Sequence, residues 1–473
     1  MYKIQKKSII DYLPVAVIFL IIFRFILTAV IPLLDKTEAR YAEISRLMYE
    51  TGEWVVLQID YGEPFWAKPP FSTWLSAISF KLLGVNEMAA RLPSFLLSLL
   101  LIVLIIQLIK RKNISNYLPA FILLSTPEFL IHTGVVSTDS SLAFAVTLIM
   151  LSFWKAITAD KVNFWSYLFF IGIGIGILSK GPIVLILTAP PILFWSFLKA
   201  GRLRMIMAKL PWISGLLLTL IISIPWFVLV ERRSPGFFDY FVVGEHFNRF
   251  FKSGWNGDLY GRPKSEPIGK IWVYLMLFAF PWIQIVIYSL WKNRKRIFKD
   301  SWVSFLVFWL LWTPLFFTFS SNILHTYILP VMAPMALLIC YWWKNYTQYK
   351  TIFWVSFIFP GLAVIAFSGF FLTGYMDYYM NSDKYLLKEY QTEIIDETLP
   401  LYYWKSKSYS GQFYSSGKAM LLEDKKELET VSNTDSNFLL VVSKRDDELA
   451  EDLDKDYQLI DQNYKTELYI RKK

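Results

Sequence analysis

Apolar residues run along this chain in long blocks separated by short polar connections. The blocks lie near 12–33, 89–109, 117–136, 140–157, 163–179, 182–198, 210–231, 269–291, 302–320, 323–343 and 351–374. Each is close to the length needed to cross a hydrocarbon core of about 30 Å. Helices are expected there, because a spanning helix satisfies its own backbone groups. The pattern changes near residue 375, where charged and polar residues alternate with short apolar runs such as Phe438–Val442 and Glu467–Ile470. That alternation predicts a small soluble α/β domain over 376–473, after a membrane domain over 1–375.

Composition supports the membrane reading: 55% of the 473 residues are hydrophobic and only 18% are charged. The single cysteine, Cys340, rules out an internal disulfide and a Cys-based metal site. The formal net charge is +10, but the cations do not point to nucleic acid. They fall in short connections: Lys3–Lys7, Lys110–Lys112, Lys199–Lys209, Lys292–Lys299 and Lys344–Lys350. If the spans alternate, all these lie on one side, which the positive-inside rule makes the cytoplasm. The run after Lys3, Lys6 and Lys7 reads as a signal anchor, too long for a cleaved signal. The long connections 34–88 and 232–268, the turns at Ser137–Asp139, Lys180–Gly181 and Ser320–Asn322, and the tail then share the opposite face.

Candidate chemistry gathers on that face. Asp35 to Gly52 reads as a helix, with Asp35 as cap, Glu38 completing a capping box and Gly52 ending it. Asp35, Glu38, Arg40, Tyr41 and Glu43 stand where the first span leaves the membrane. A carboxylate there suits a general base, and an arginine suits a phosphate. The segment after Asp60 is broken by prolines and rich in tryptophan, so it predicts an interfacial helix from Phe71 onward, with Lys68 as an anion ligand or a snorkelling residue. Asp139, at the outer end of a span, reads as a helix cap or a functional carboxylate. Arg24, in the middle of the first span, is expected to pair with a carboxylate on another helix.

TEARYAEISRLM, then GEW, then FWAKPPFSTWLSAISFKLLGVNEMAARLPS form about sixty residues that resemble the bacterial 4-amino-4-deoxy-L-arabinose lipid A transferases. This family lies within the protein O-mannosyltransferase-like group of GT-C glycosyltransferases. Further stretches match in order. STDSSLAFAVTL is similar to the second acidic motif, with Asp139 in the aspartate position. LSKGPIVLILT carries Lys180, GEHFNRF carries His246 and Arg249, and SSNILHTYILPVMAPMAL carries Tyr327.

The resemblance implies a GT-C fold of about 11–13 transmembrane helices, with interfacial helices in the first outside loop. It implies an inverting transfer of a sugar from a polyprenyl phosphate donor to lipid A, another glycolipid or another glycan acceptor, at the periplasmic face of a bacterial inner membrane. Asp35, Glu38 and Asp139 are then the catalytic candidates. Arg40, Tyr41, Lys68, Lys180, His246, Arg249 and Tyr327 are the donor-phosphate and substrate ligands. The family pattern has Asp-Glu where this chain has Thr37-Glu38, so the first-loop base is either Asp35 or Glu38. Some members carry a glutamate where this chain has Ala67, and there it binds a metal with the histidine matching His246; no metal ligands are therefore assigned. No cofactor is implied beyond a divalent cation, which stays open. His132 and His325 read as structural or interfacial. Two alternatives remain: a lipid or oligosaccharide transporter, and a family member that binds the donor without turnover.

Overall fold

The computed structural model describes residues 12–109, 114–248, 256–261, 266–320, 322–343, 349–388, 399–433, 437–446, 448–449, 453 and 455–471. Arg249 and the basic residues Lys3–Lys7 and Lys110–Lys112 lie outside the described residues. Six described helices are long and apolar enough to cross a bilayer: Leu13–Val30, Glu87–Leu108, Thr138–Thr158, Trp212–Arg233, His325–Trp342 and Lys350–Leu372. Phe164–Lys180, Ile183–Phe197 and Ser301–Phe317 are shorter apolar helices packed among them. The chain is a multi-span membrane protein.

Two of the expected continuous spans are broken. The block near 117–136 is a helix Tyr117–Leu124 and a short helix Pro127–His132. Pro127 has no N–H for the preceding ladder and starts a new turn instead. The block near 269–291 is Lys270–Phe278 and Trp282–Asn293, which meet at 105° across Pro281. In the first span, Arg24 donates to the carbonyls of Leu130 and Ile131 at 2.9 Å. These are carbonyls at the end of the Pro127–His132 helix, which lack helical partners of their own. The buried guanidinium is therefore met by backbone oxygen rather than by the expected carboxylate.

The first long connection, residues 34–86, forms a helix Thr37–Thr51, a small hairpin of β1 (Gln58–Asp60) and β2 (Glu63–Pro64), and a helix Phe71–Leu83. The last helix leaves Ile78, Leu82 and Leu83 exposed, as an interfacial helix does. Gly52 ends the first helix in a left-handed conformation, as its position predicts. The expected capping box does not form: Lys36 occupies the cap position, and Asp35 and Glu38 both point elsewhere.

The C-terminal part is a small sheet domain. Its strands are β3 (Leu401–Trp404), β4 (Ala419–Leu422), β5 (Leu439–Ser443), β6 (Tyr457–Gln462) and β7 (Thr466–Arg471), in the order β4-β3-β5-β7-β6. β3 runs parallel to β4 and β5, and β7 runs antiparallel to β5 and β6. Alternation along β5 assigns its two faces. Leu439 and Val441 join the core of the first long connection, with Leu33, Ala39 and Ala42. Leu440 and Val442 pack on Leu428, Leu449 and Leu453. Polar contacts reinforce this docking. The backbone N–H of Leu33 donates to the Tyr414 hydroxyl at 2.8 Å, and that hydroxyl donates to Glu87 at 3.0 Å. Lys384 pairs with Glu87 at 2.6 Å, and Lys407 pairs with Asp60.

Candidate active site

A cavity of about 1090 Å³ opens where the membrane helices, the first connection and the sheet domain meet. Asp35, Arg40, Tyr41, Lys68, Asp139, Lys180, His246 and Tyr327 all line it. The sheet domain supplies Lys407, Tyr409, Arg445 and Lys465 to the opposite wall. Lining helices contribute their ends, as at Thr138–Asp139, Lys180, Ile183 and Phe317. The cavity thus sits at one end of the bundle rather than midway along it.

Ser137 caps the helix that begins at Thr138, accepting from the Asp139 N–H at 3.0 Å. With Ser137 in that role, the Asp139 carboxylate is left to pair with Lys180. The Lys180 ammonium also stands 4.6 Å from the centre of the Tyr327 ring. A carboxylate and an aromatic face together hold this cation at the cavity wall.

Arg40 donates to the Tyr260 carbonyl at 2.5 Å and lies over the rings of Tyr41, Phe65 and Tyr409 at 5.5–5.9 Å. Lys68 pairs with Glu245 at 2.7 Å. The carboxylate of Glu245 is thus turned to Lys68. His246 places Nδ1 2.7 Å from the Phe241 carbonyl and Nε2 3.2 Å from the Lys180 carbonyl. Burial holds its ring below the usual imidazole pKa, so it is neutral near pH 7.

The two carboxylates of the first connection part company. Asp35 reaches the cavity, where the Ser410 hydroxyl and N–H both donate to it. Burial pushes its carboxyl up to about 6, against the opposing pull of the Ser410 hydrogen bonds. Glu38 is absent from the lining and is only 7% exposed. Its two oxygens accept from Arg91 Nε and Nη2, both at 2.8 Å. Burial alone would raise its carboxyl, but Arg91 outweighs that and holds it below the ordinary range. Arg91 also donates to the carbonyls of Thr28, Ile31 and Pro32, so the pair fastens the end of the first span to the helix Thr37–Thr51.

Sequence reasoning missed Glu245, although it stands beside His246 in a quoted motif. It also missed Ser410 and Tyr409, in a tail that carries no recognisable motif.

Gly181 has φ +77° and ψ −155°, a region open essentially to glycine. An added Cβ would stand 2.6 Å from Phe241 Cζ and 3.0 Å from His246 Nε2. Gly181→Ala is expected to lower stability by about 2 kcal/mol more than Gly201→Ala. Gly201 also has positive φ, but lies in the left-handed helical region with open space around it, so the difference reads the extra backbone strain and the steric clash together. Thermal unfolding of both variants in detergent measures the difference.

The family model of dolichyl-phosphate-mannose-protein mannosyltransferases matches residues 10–241. The undecaprenyl phosphate-alpha-4-amino-4-deoxy-L-arabinose arabinosyl transferase of Yersinia pestis (strain Pestoides F) is 29% identical over 339 residues, covering 66% of this chain and 57% of the relative. The same-named protein of Yersinia enterocolitica serotype O:8 is 28% identical, covering 64% and 53%. The chain thus spans little more than half the length of these relatives. Among solved structures, ArnT from Cupriavidus metallidurans bound to undecaprenyl phosphate superposes with a TM-score of 0.74 over 98% of both chains, at 17% identity. The chain has the ArnT fold. The apo form of the same ArnT gives 0.73. This GT-C architecture agrees with the expectation from the motifs, and the ArnT-like match extends through the C-terminal sheet domain.

Proposed function

We propose that this ArnT-like chain is an inverting glycosyltransferase that moves a sugar from a polyprenyl phosphate to an acceptor hydroxyl or phosphate. The observation that carries the reading is that one cavity gathers Asp35 and Asp139 with Arg40, Lys68 and Lys180 at one end of the bundle. A transporter would need polar groups near the midplane. In the proposed reaction, Asp35 takes the proton from an acceptor hydroxyl as the oxygen attacks the anomeric carbon. The bond from that carbon to the phosphate oxygen breaks on the opposite side. The polyprenyl phosphate leaves with the bonding electrons, and Arg40 and Lys180 meet the charge that develops. Asp139 holds Lys180 in place.

Undecaprenyl phosphate is the proposed lipid carrier, supported by the relatives' names. Lipid A or another surface glycan is the proposed acceptor. The basic loops at Lys199–Lys209 and Lys292–Lys299 support an inner-membrane orientation that leaves the cavity and residues 376–473 outside the cytoplasm, with residues 1–375 as the membrane domain.

The test is sugar transfer from a polyprenyl phosphate in proteoliposomes. Asp139→Asn is expected to lower turnover by about 10²-fold, because Lys180 loses its fixed position. Wild-type rates in both Asp139→Asn and Asp35→Asn would remove the proposed site.

A further inference from the structure

Behind the cavity wall lies a second cluster that the transfer reaction does not use. Glu128 and His132 are four residues apart on the short helix Pro127–His132, so they share one face. His325 begins the 3-10 turn His325–Val331 and comes from 197 residues further along the chain. Its Nδ1 lies 3.0 Å from both oxygens of Glu128. His132 Nε2 lies 3.1 Å from Glu128 Oε1. One ligand atom from each of the three residues falls within 4.8 Å of the others, the one such group among the described residues.

Two further observations point to a ligand. The His132 side chain is more than nine-tenths buried, yet neither ring nitrogen makes a hydrogen bond: Nε2 is near Glu128 but off the line that an N–H donor requires. Glu128 is fully buried, and its ion-pair contacts among the described residues are these two histidines, with no lysine or arginine. A buried carboxylate with no lysine or arginine beside it favours an added cation. A divalent ion would balance it and give the His132 lone pair a target.

We propose that Glu128, His132 and His325 form a binding site for a divalent transition-metal ion, with zinc the best fit. Two imidazoles and a carboxylate are a zinc donor set, and tetrahedral coordination at about 2.1 Å places donors about 3.4 Å apart. The Glu–His separations of 3.0 and 3.1 Å are within a few tenths of that, and the remaining pair lies within 4.8 Å. Three protein ligands leave a fourth position for water. The site is separate from Ala67 and His246.

The ion would act as a brace. It joins the Pro127–His132 helix to the turn that carries Tyr327, whose ring faces Lys180. The Ser140 hydroxyl donates to the His132 carbonyl at 3.2 Å, so the Asp139 turn is tied to the same unit.

The test uses the full chain in detergent, stripped with a chelator and titrated with Co²⁺. Visible d–d bands that saturate at an equimolar ion are expected, and Zn²⁺ is expected to displace them. His325→Ala is expected to weaken binding by roughly 100-fold or more. His132→Ala should do the same, whereas His246→Ala should leave the spectrum intact. His325 is the safer variant for folding because its side chain is 39% exposed, and circular dichroism with size-exclusion profiles verifies that it folds. No bands in the wild type, or bands lost in His246→Ala but kept in His325→Ala, would overturn the proposal.

Discussion

Asp35→Asn is expected to lower sugar transfer by about 10²–10⁴-fold, the usual contribution of a positioned general base. The loss should fall on turnover, because the proposed phosphate ligands Arg40 and Lys180 are untouched by the substitution. Its folded pKa near 6 makes the pH profile diagnostic. Transfer by the wild type should rise with pH through about 6 as the carboxyl ionises, and the Asp35→Asn variant should lose that rise. Ser410→Ala removes a hydrogen bond that favours the ionised form, so the ascending limb should move to higher pH. Initial rates of transfer across pH 5–8, in steps of about half a unit, provide the measurement. An ascending limb that survives in Asp35→Asn would assign the base elsewhere.

Glu38→Gln should instead act on stability, with an expected loss of about 3–5 kcal/mol. The substitution leaves the Arg91 guanidinium buried without a counter-charge, although its three backbone acceptors remain. Thermal unfolding in a fixed detergent, compared with the wild type, reads the loss. The pH dependence has opposite signs at the two carboxylates. The Glu38 pKa is depressed on folding, so its contribution is complete above about 4.3 and is lost as pH falls through the folded value. The Asp35 pKa is raised, so its contribution is complete below about 3.9 and is lost as pH rises through about 6. A Glu38→Gln protein with wild-type stability and no transfer would return Glu38 to the chemistry.

Most of the fold could be read from the sequence, because spanning a bilayer is a local demand on apolar run length. The breaks at Pro127 and Pro281 were less visible: an apolar run reads as continuous even where a proline ends one helix and starts another. For the site, motif residues separated by two hundred positions converge on one cavity. The division of labour between Asp35 and Glu38 was not legible. It depends on Arg91, 53 residues from Glu38, and on Ser410, 375 residues from Asp35. Arg24 carried a sign that called for a carboxylate, but helix-end carbonyls meet it, and their availability depends on where a neighbouring helix stops. The Glu128 cluster escaped notice for the same reason, since His132 and His325 each look ordinary in their own segments.

The grip of Ser410 on Asp35 also sets an order of assembly. Ribosomes add about 5–20 residues per second, so the membrane helices emerge well before the sheet domain. Until β3 and the helix Tyr409–Tyr414 arrive, Asp35 lacks the hydroxyl and amide that hold it, and the Leu33 amide lacks Tyr414. A nascent chain is therefore a membrane protein before its cavity is closed. Incomplete products lack the wall that Lys407, Tyr409, Arg445 and Lys465 supply, so the cavity is completed only when the sheet domain docks.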